Sequence, residues 1–71
     1  MTYQIEDSFN GWNGNTSIRL TNGQVWKQYA YHYEYRYAYR PYVKIEGSDG
    51  YGAYSDLTVD GCSPVRCCRI E

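Results

Sequence analysis

Three groups of side chains in this sequence have types and spacings that invite chemistry. His32, the one histidine, stands two residues before Glu34. In an extended segment residues two apart share a face, so a His32–Glu34 pair is geometrically available and the imidazole could serve as a base. No further partner is identifiable, and the plainer reading is a polar residue opposite a tyrosine face. Cys62, Cys67 and Cys68 form the second group. A structural zinc site wants four nitrogen or sulfur ligands, and this spacing lacks a fourth unless His32 supplies it. Cys67 and Cys68 would point to opposite faces of a strand, which suits one small core residue and one exposed thiol. The third, Gly47-Ser48-Asp49-Gly50-Tyr51-Gly52, lacks the strand-to-helix setting and the lysine of a phosphate loop and reads as a turn. No catalytic residue, metal site or cofactor is assigned on these grounds, and the chain reads as a non-enzyme.

A fourth constellation has a physical role without catalysis. Tyr29, Tyr31, Tyr33, Tyr35, Tyr37 and Tyr39 occupy every second position, separated by Ala30, His32, Glu34, Arg36 and Ala38 and followed by Arg40 and Pro41. A period of two is the strand period, so an extended backbone places these rings on one face; a helix would scatter them. Tyrosine also favours a pleated, half-buried surface. The candidate binding residues are Tyr31, Tyr33, Tyr35 and Tyr37, with Arg36 and Arg40 beside them. Rings are stacking platforms for bases, at about 1–3 kcal/mol each, and the two arginines could meet phosphates. Yet arginines and tyrosines alternate, so a single strand presents them on opposite faces.

The elements that must carry these residues belong to a small object. Seventy-one residues make one domain, 1–71. A chain this short hides only roughly 60% of its unfolded surface and needs a supplement to its core. Ten tyrosines, two tryptophans and one phenylalanine are the available supplement. Each ring can hide about 150–250 Å², so the aromatics could carry most of the burial, with the tyrosine ladder as the core of an unusual barrel. The competing expectation is that so many rings cannot all be interior and that the excess forms an interface.

Net charge is −1, which gives no general pull toward nucleic acid or anionic membrane. Lys27, Arg36, Arg40 and Lys44 face only Glu34 in their part of the chain, whereas Glu46, Asp49, Asp56 and Asp60 follow as acids alone. Neighbouring strands would let the two segments neutralise each other. No apolar run approaches the ~20 residues of a membrane span. The amino-terminal residues are acidic and mixed, unlike a signal peptide. The expected location is the cytoplasm, with the three cysteines reduced.

Along the chain, Tyr3 to Phe9 reads as a first strand and Asn10 to Asn15 as a turn-rich stretch whose Trp12 folds back over a core edge. Thr16 to Leu20 alternates, and Asn22-Gly23 marks a hairpin. A two-residue loop would set Leu20 against Val25. A three-residue loop with Gly23 as a left-handed bulge sets Ile18 against Trp26 and puts Ile18, Leu20 and Trp26 on one face. The second is favoured, because register follows the buried face. From Gln24 to Tyr39 a straight strand would run about 50 Å, against about 25–30 Å for a domain of this size. The tract must bend, and we expect a strand to near Ala30, an irregular middle and a second strand from about Tyr37; a projecting hairpin arm is the alternative. Pro41 marks a strand start or a sheet edge. Tyr42–Glu46, Tyr51–Val59 and Val65–Ile70 read as strands separated by turns. The fold class is all-β: a small antiparallel barrel or rolled sheet of five to six strands, SH3-like.

Read together, Phe9-x-Gly11-Trp12, Leu20-x-Asn22-Gly23-Gln24-x-Trp26-x-Gln28, the Tyr-x-Tyr repeat and Tyr37-Ala38-Tyr39-x-Pro41-x-Val43-x-Ile45 resemble a family of small bacterial β-domains of unknown function. That family is similar to integron gene-cassette proteins. The resemblance spans most of the chain from Phe9 to Ile70 and departs at Cys62-Ser63-Pro64 and Cys67-Cys68, where family-like tails are polar and basic. It implies a β-fold in a bacterial cytoplasm and brings no activity. The function expected from the whole is a non-enzymatic interaction module whose tyrosine-rich surface contacts protein, most simply a second copy as a homodimer. Single-stranded nucleic acid, stacked on the tyrosines with Arg36 and Arg40, is the alternative.

Overall fold

The structure is a computed structural model and describes residues 2–71. Eight strands follow one another: β1 (Thr2–Gln4), β2 (Ser8–Asn13), β3 (Ser17–Arg19), β4 (Val25–Gln28), β5 (Tyr33–Tyr39), β6 (Tyr42–Glu46), β7 (Tyr54–Val59) and β8 (Val65–Arg69). Six of them make one curled antiparallel sheet in the order β1-β6-β7-β8-β4-β3. Its two outer strands meet again at a bridge between Ile5 and Leu20, where Glu6 N–H donates to Arg19 O and Thr21 N–H to Gln4 O. The sheet is thus rolled until its edges touch. The remaining two strands, β2 and β5, pair as a separate antiparallel ribbon. Among the described residues there is no helix, and none long and apolar enough to cross a membrane.

The β3–β4 hairpin has the bulged turn that the buried face demands. Ile18 opposes Trp26, Leu20 N–H donates to Gln24 O at 2.8 Å, and Gly23 takes φ 92°. Ile18, Leu20 and Trp26 are buried and Lys27 is exposed. The core gathers Phe9, Trp12, Trp26, Leu20, Ile45, Leu57, Val43, Val59 and Cys67 from both sheets. Phe9 and Trp12 meet edge to face, with ring centroids 5.3 Å apart. Trp26 donates its indole N–H to the buried Gln24 side chain, whereas Trp12 Nε1 has no hydrogen-bond partner among the described residues.

Several expectations are corrected. The Tyr3–Phe9 segment is not one strand: the chain turns over at Ile5–Asp7 to close the roll, and β2 starts only at Ser8. The Asn10–Asn15 stretch is half strand, because β5 pairs with it through Asn13. The break in the tyrosine tract spans residues 29–32, and its second strand begins at Tyr33, earlier than Tyr37. Strand β7 begins at Tyr54, and Tyr51 lies outside it on an exposed turn. The aromatic-core expectation fails for tyrosine. Nine of the ten tyrosines are exposed, by 53–84%, and the core is aliphatic with both tryptophans and Phe9. Tyr3 is the half-buried exception, its hydroxyl donating to Asp49 Oδ2 at 2.6 Å.

Candidate interaction surface

The tract leaves the sheet because one buried side chain makes it do so. Gln28, at the end of β4, is 5% exposed. Its amide N–H groups donate to Ala30 O at 3.0 Å and His32 O at 2.9 Å, and its carbonyl oxygen accepts from Gly14 N–H at 2.8 Å. Two carbonyls of the link are thereby turned inward. Tyr29 and Ala30 hand their own N–H groups to Arg66 O. The chain then crosses from β4 of the rolled sheet to β5 of the ribbon. A buried amide whose donors and acceptor are all used fixes one path, since each group left unpaired would cost about 1–3 kcal/mol.

Strand β5 keeps its period of two. Glu34 and Ala38 are half-buried on the inner side, opposite Trp12 and Phe9 of β2. Tyr33, Tyr35, Tyr37 and Tyr39 alternate with them and stand exposed on the outer side. Residues facing each other in an antiparallel pair share a side, so the inward rings of β2 dictate which side of β5 is outward. Against β2 the register slips once: two steps from Gly11 to Phe9 match three from Tyr35 to Ala38. Gly11, at φ 102°, is the position that allows it. A Cβ there would overlap Glu34 O and come within 2.8 Å of Arg36 N and 2.9 Å of Tyr35 Cα. The ribbon is therefore as close as it is because residue 11 has no side chain.

Tyr31 lies in the link with its ring against Gly14 and is the most exposed tyrosine, at 84%. Tyr29 packs edge to face on Tyr54, centroids 4.8 Å apart. A hydrogen bond with Cys68 pushes the Tyr54 phenol above its ordinary value.

The arginines are not part of the tyrosine face. Arg36 turns inward and reaches Asp60 in the β7–β8 turn, with Nε and Nη2 each 3.1 Å from Oδ2. This is the neutralisation expected between the basic and acidic segments. Lys44 likewise meets Glu46 at 3.2 Å, whereas Asp56 is held by Arg66, outside the basic segment, at 2.8 Å. Arg40 sits at the β5–β6 corner with φ 49°, exposed; its N–H donates to Asp7 O, and its carbonyl accepts from Gln4 Nε2. Of the candidate residues, the structure brings Tyr33, Tyr35 and Tyr37 together, leaves Tyr31 just beyond the strand, and sets Arg36 on the other side.

His32 and Glu34 do pair, Nε2 to Oε1 at 2.9 Å, both half-exposed. The same carboxylate oxygen accepts from Ser63 N–H at 3.3 Å. The histidine bond first, then the Ser63 bond, hold the Glu34 carboxyl below its usual range. The pair ties the start of β5 to the β7–β8 turn, which is a positioning role. Cys62 and Cys67 are buried and Cys68 is half-buried. Burial, the largest cause, pushes the Cys67 thiol up to about 12 and raises the Cys62 thiol as well. Among the described residues no three histidine, cysteine or acidic side chains gather as metal ligands.

Gln28 and Gly11 are the determinants that sequence reasoning missed. Gln28 belongs to the Trp26-x-Gln28 motif, but only the fold shows its amide facing the link. No family model matches the chain, and no curated protein or solved structure is significantly similar to it.

Proposed function

We propose that the protein is a non-enzymatic interaction module that uses the outer face of β5 to contact protein, most simply a second copy of itself. The observation that carries this reading is the exposure of Tyr33, Tyr35, Tyr37 and Tyr39 in one row while the core is built without them. Four exposed rings on one strand form an apolar surface with polar tips, the composition enriched at protein interfaces. On this reading the protein works in a bacterial cytoplasm, in keeping with the family resemblance and with three unpaired thiols.

The nucleic-acid reading has less support, because Arg36 lies on the inner side of β5, away from the rings, and only Arg40 flanks them. Catalysis has less still, since the one thiol bonded to the His32–Glu34 pair, Cys62, is buried and held in its protonated form by that burial. The test is the triple substitution Tyr33→Ser, Tyr35→Ser and Tyr37→Ser. Light scattering on reduced protein should show the wild-type assembly falling to the single-chain mass, with circular dichroism unchanged. A triple variant of wild-type mass sinks the proposal.

A further inference from the structure

The ribbon has two edges, and only one of them is used. Apart from β2, no strand runs along β5. Its backbone directions follow from three bonds and contacts. Arg40 N–H donates to Asp7 O, and Glu34 O and Arg36 N are the atoms nearest Gly11. The even-numbered residues of β5 thus aim their backbone groups at β2. In a strand that alternates, the odd-numbered residues aim theirs the other way. The N–H and C=O groups of Tyr33, Tyr35, Tyr37 and Tyr39 accordingly lie along the open edge, where no strand of the described residues meets them.

Sheet edges of this kind are ready templates for another chain; proteins that avoid pairing blunt them with proline, lysine, brevity, bulges or inward charges, and β5 has only the last two. β5 has seven residues, with no proline and no lysine among them. Its charges are Glu34 and Arg36, one on each side of Tyr35. We infer that β5 docks antiparallel on β5 of a second copy, with Tyr35 opposite the partner's Tyr35, joining two ribbons into one four-stranded sheet.

The charges choose that register. Centred on Tyr35, the two-fold sets Glu34 against the partner's Arg36 and Arg36 against the partner's Glu34, with Tyr33 opposite the partner's Tyr37. Centred on Arg36 or on Glu34, it sets like charges directly opposite, which destabilises a sheet. Centred on Tyr37, it leaves Arg36 opposite an alanine and offers Glu34 only Arg40, which has left the strand at φ 49°. Arg36 can serve both contacts, because Asp60 engages only two of its nitrogens. Hydrogen bonding agrees with charge: this register opposes odd residues to odd, and these are the ones with free backbone groups. The joined sheet sets the two tyrosine rows side by side on its outer face, where Tyr35 meets the partner's Tyr35 and Tyr33 the partner's Tyr37 as cross-strand neighbours.

This inference rests on the self-association reading and adds how the copies meet, so its test must separate the two. Tyr35→Pro removes an open-edge N–H and leaves the ladder to β2 intact, a place where strands tolerate proline. A monomeric Tyr35→Pro with wild-type circular dichroism is the expected result. In a Cys68→Ser background, Tyr35→Cys should form a symmetric disulfide on mild oxidation. Directly opposed residues lie about 4.5–5.5 Å apart, inside the range that disulfides span. Cross-linking should be at least tenfold faster than for Tyr39→Cys. If the Ser triple variant dissociates while Tyr35→Pro stays dimeric, or if Tyr35→Cys does not cross-link faster than Tyr39→Cys, edge pairing is wrong and the reading it rests on survives. A wild type that is monomeric throughout overturns both.

Discussion

Gly11→Ala is the substitution from which the geometry demands most. The residue sits at φ 102°, and an added methyl would overlap the Glu34 carbonyl oxygen and press on Arg36 N and Tyr35 Cα, all backbone of β5. No side chain can swing away to make room. The left-handed backbone alone costs an alanine about 1–2 kcal/mol. Moving β5 aside also loosens about two backbone bonds of the β2–β5 ladder around residue 11, at a net of about 1 kcal/mol each. The total is about 3–4 kcal/mol, a large share of what holds a small domain folded. Gly23→Ala is the control: φ is 92°, but nothing lies within 4 Å of its Cβ, so it carries the backbone term alone. Thermal unfolding followed by circular dichroism should place Gly11→Ala about 8–16 °C below Gly23→Ala, at ~4–8 °C per kcal/mol for a domain of this size. Equal midpoints for the two variants would refute the claim that close backbone approach at residue 11 holds the ribbon together.

Three further outcomes follow from the same contacts. Gln28→Leu strands Gly14 N–H and the Ala30 and His32 carbonyls, and should lower stability in urea by about 2–4 kcal/mol, with faster proteolysis between residues 28 and 33. Glu34 titrates below its ordinary 4.5 when folded, so the unfolded chain binds that proton more tightly. The stability it contributes is complete above about pH 4.5 and is lost as pH falls through the lower folded value; acid unfolding of Glu34→Gln should lack that component. Of the three thiols, Cys68 should react first with an aromatic disulfide reagent at pH 8. Cys62 and Cys67, buried and with raised thiols, should react only at the rate of unfolding.

What could be read from the residues and what could not divide along the reach of the interactions. The hairpin at Gly23 was legible because its register depends on which nearby side chains must be buried, and Ile18, Leu20 and Trp26 answer that locally. The single-sided tyrosine row was legible from its period. That the tract must break was legible from its length, since the molecule measures 27 × 24 × 17 Å. Where it breaks was not, because the cause is a glutamine amide that bonds forward to Ala30 and His32 and back to Gly14. Whether the rings face in or out was equally hidden. It is decided by Phe9 and Trp12, which take the inner side of the ribbon and leave Glu34, Arg36 and Ala38 to line it from β5. The division of Tyr3–Phe9 into β1 and β2 depends on the Ile5–Leu20 bridge, a contact between segments distant in sequence. The spacing left a His32–Glu34 pair open but favoured a lone polar histidine; the pair, and its link to Ser63, needed the fold.

The most direct measurement is the solution mass of the reduced protein by sedimentation equilibrium across a hundredfold range of concentration. Edge-paired copies give twice the 8.3 kDa chain mass, reached with rising concentration and abolished by Tyr35→Pro. A single 8.3 kDa species at every concentration would contradict that pairing.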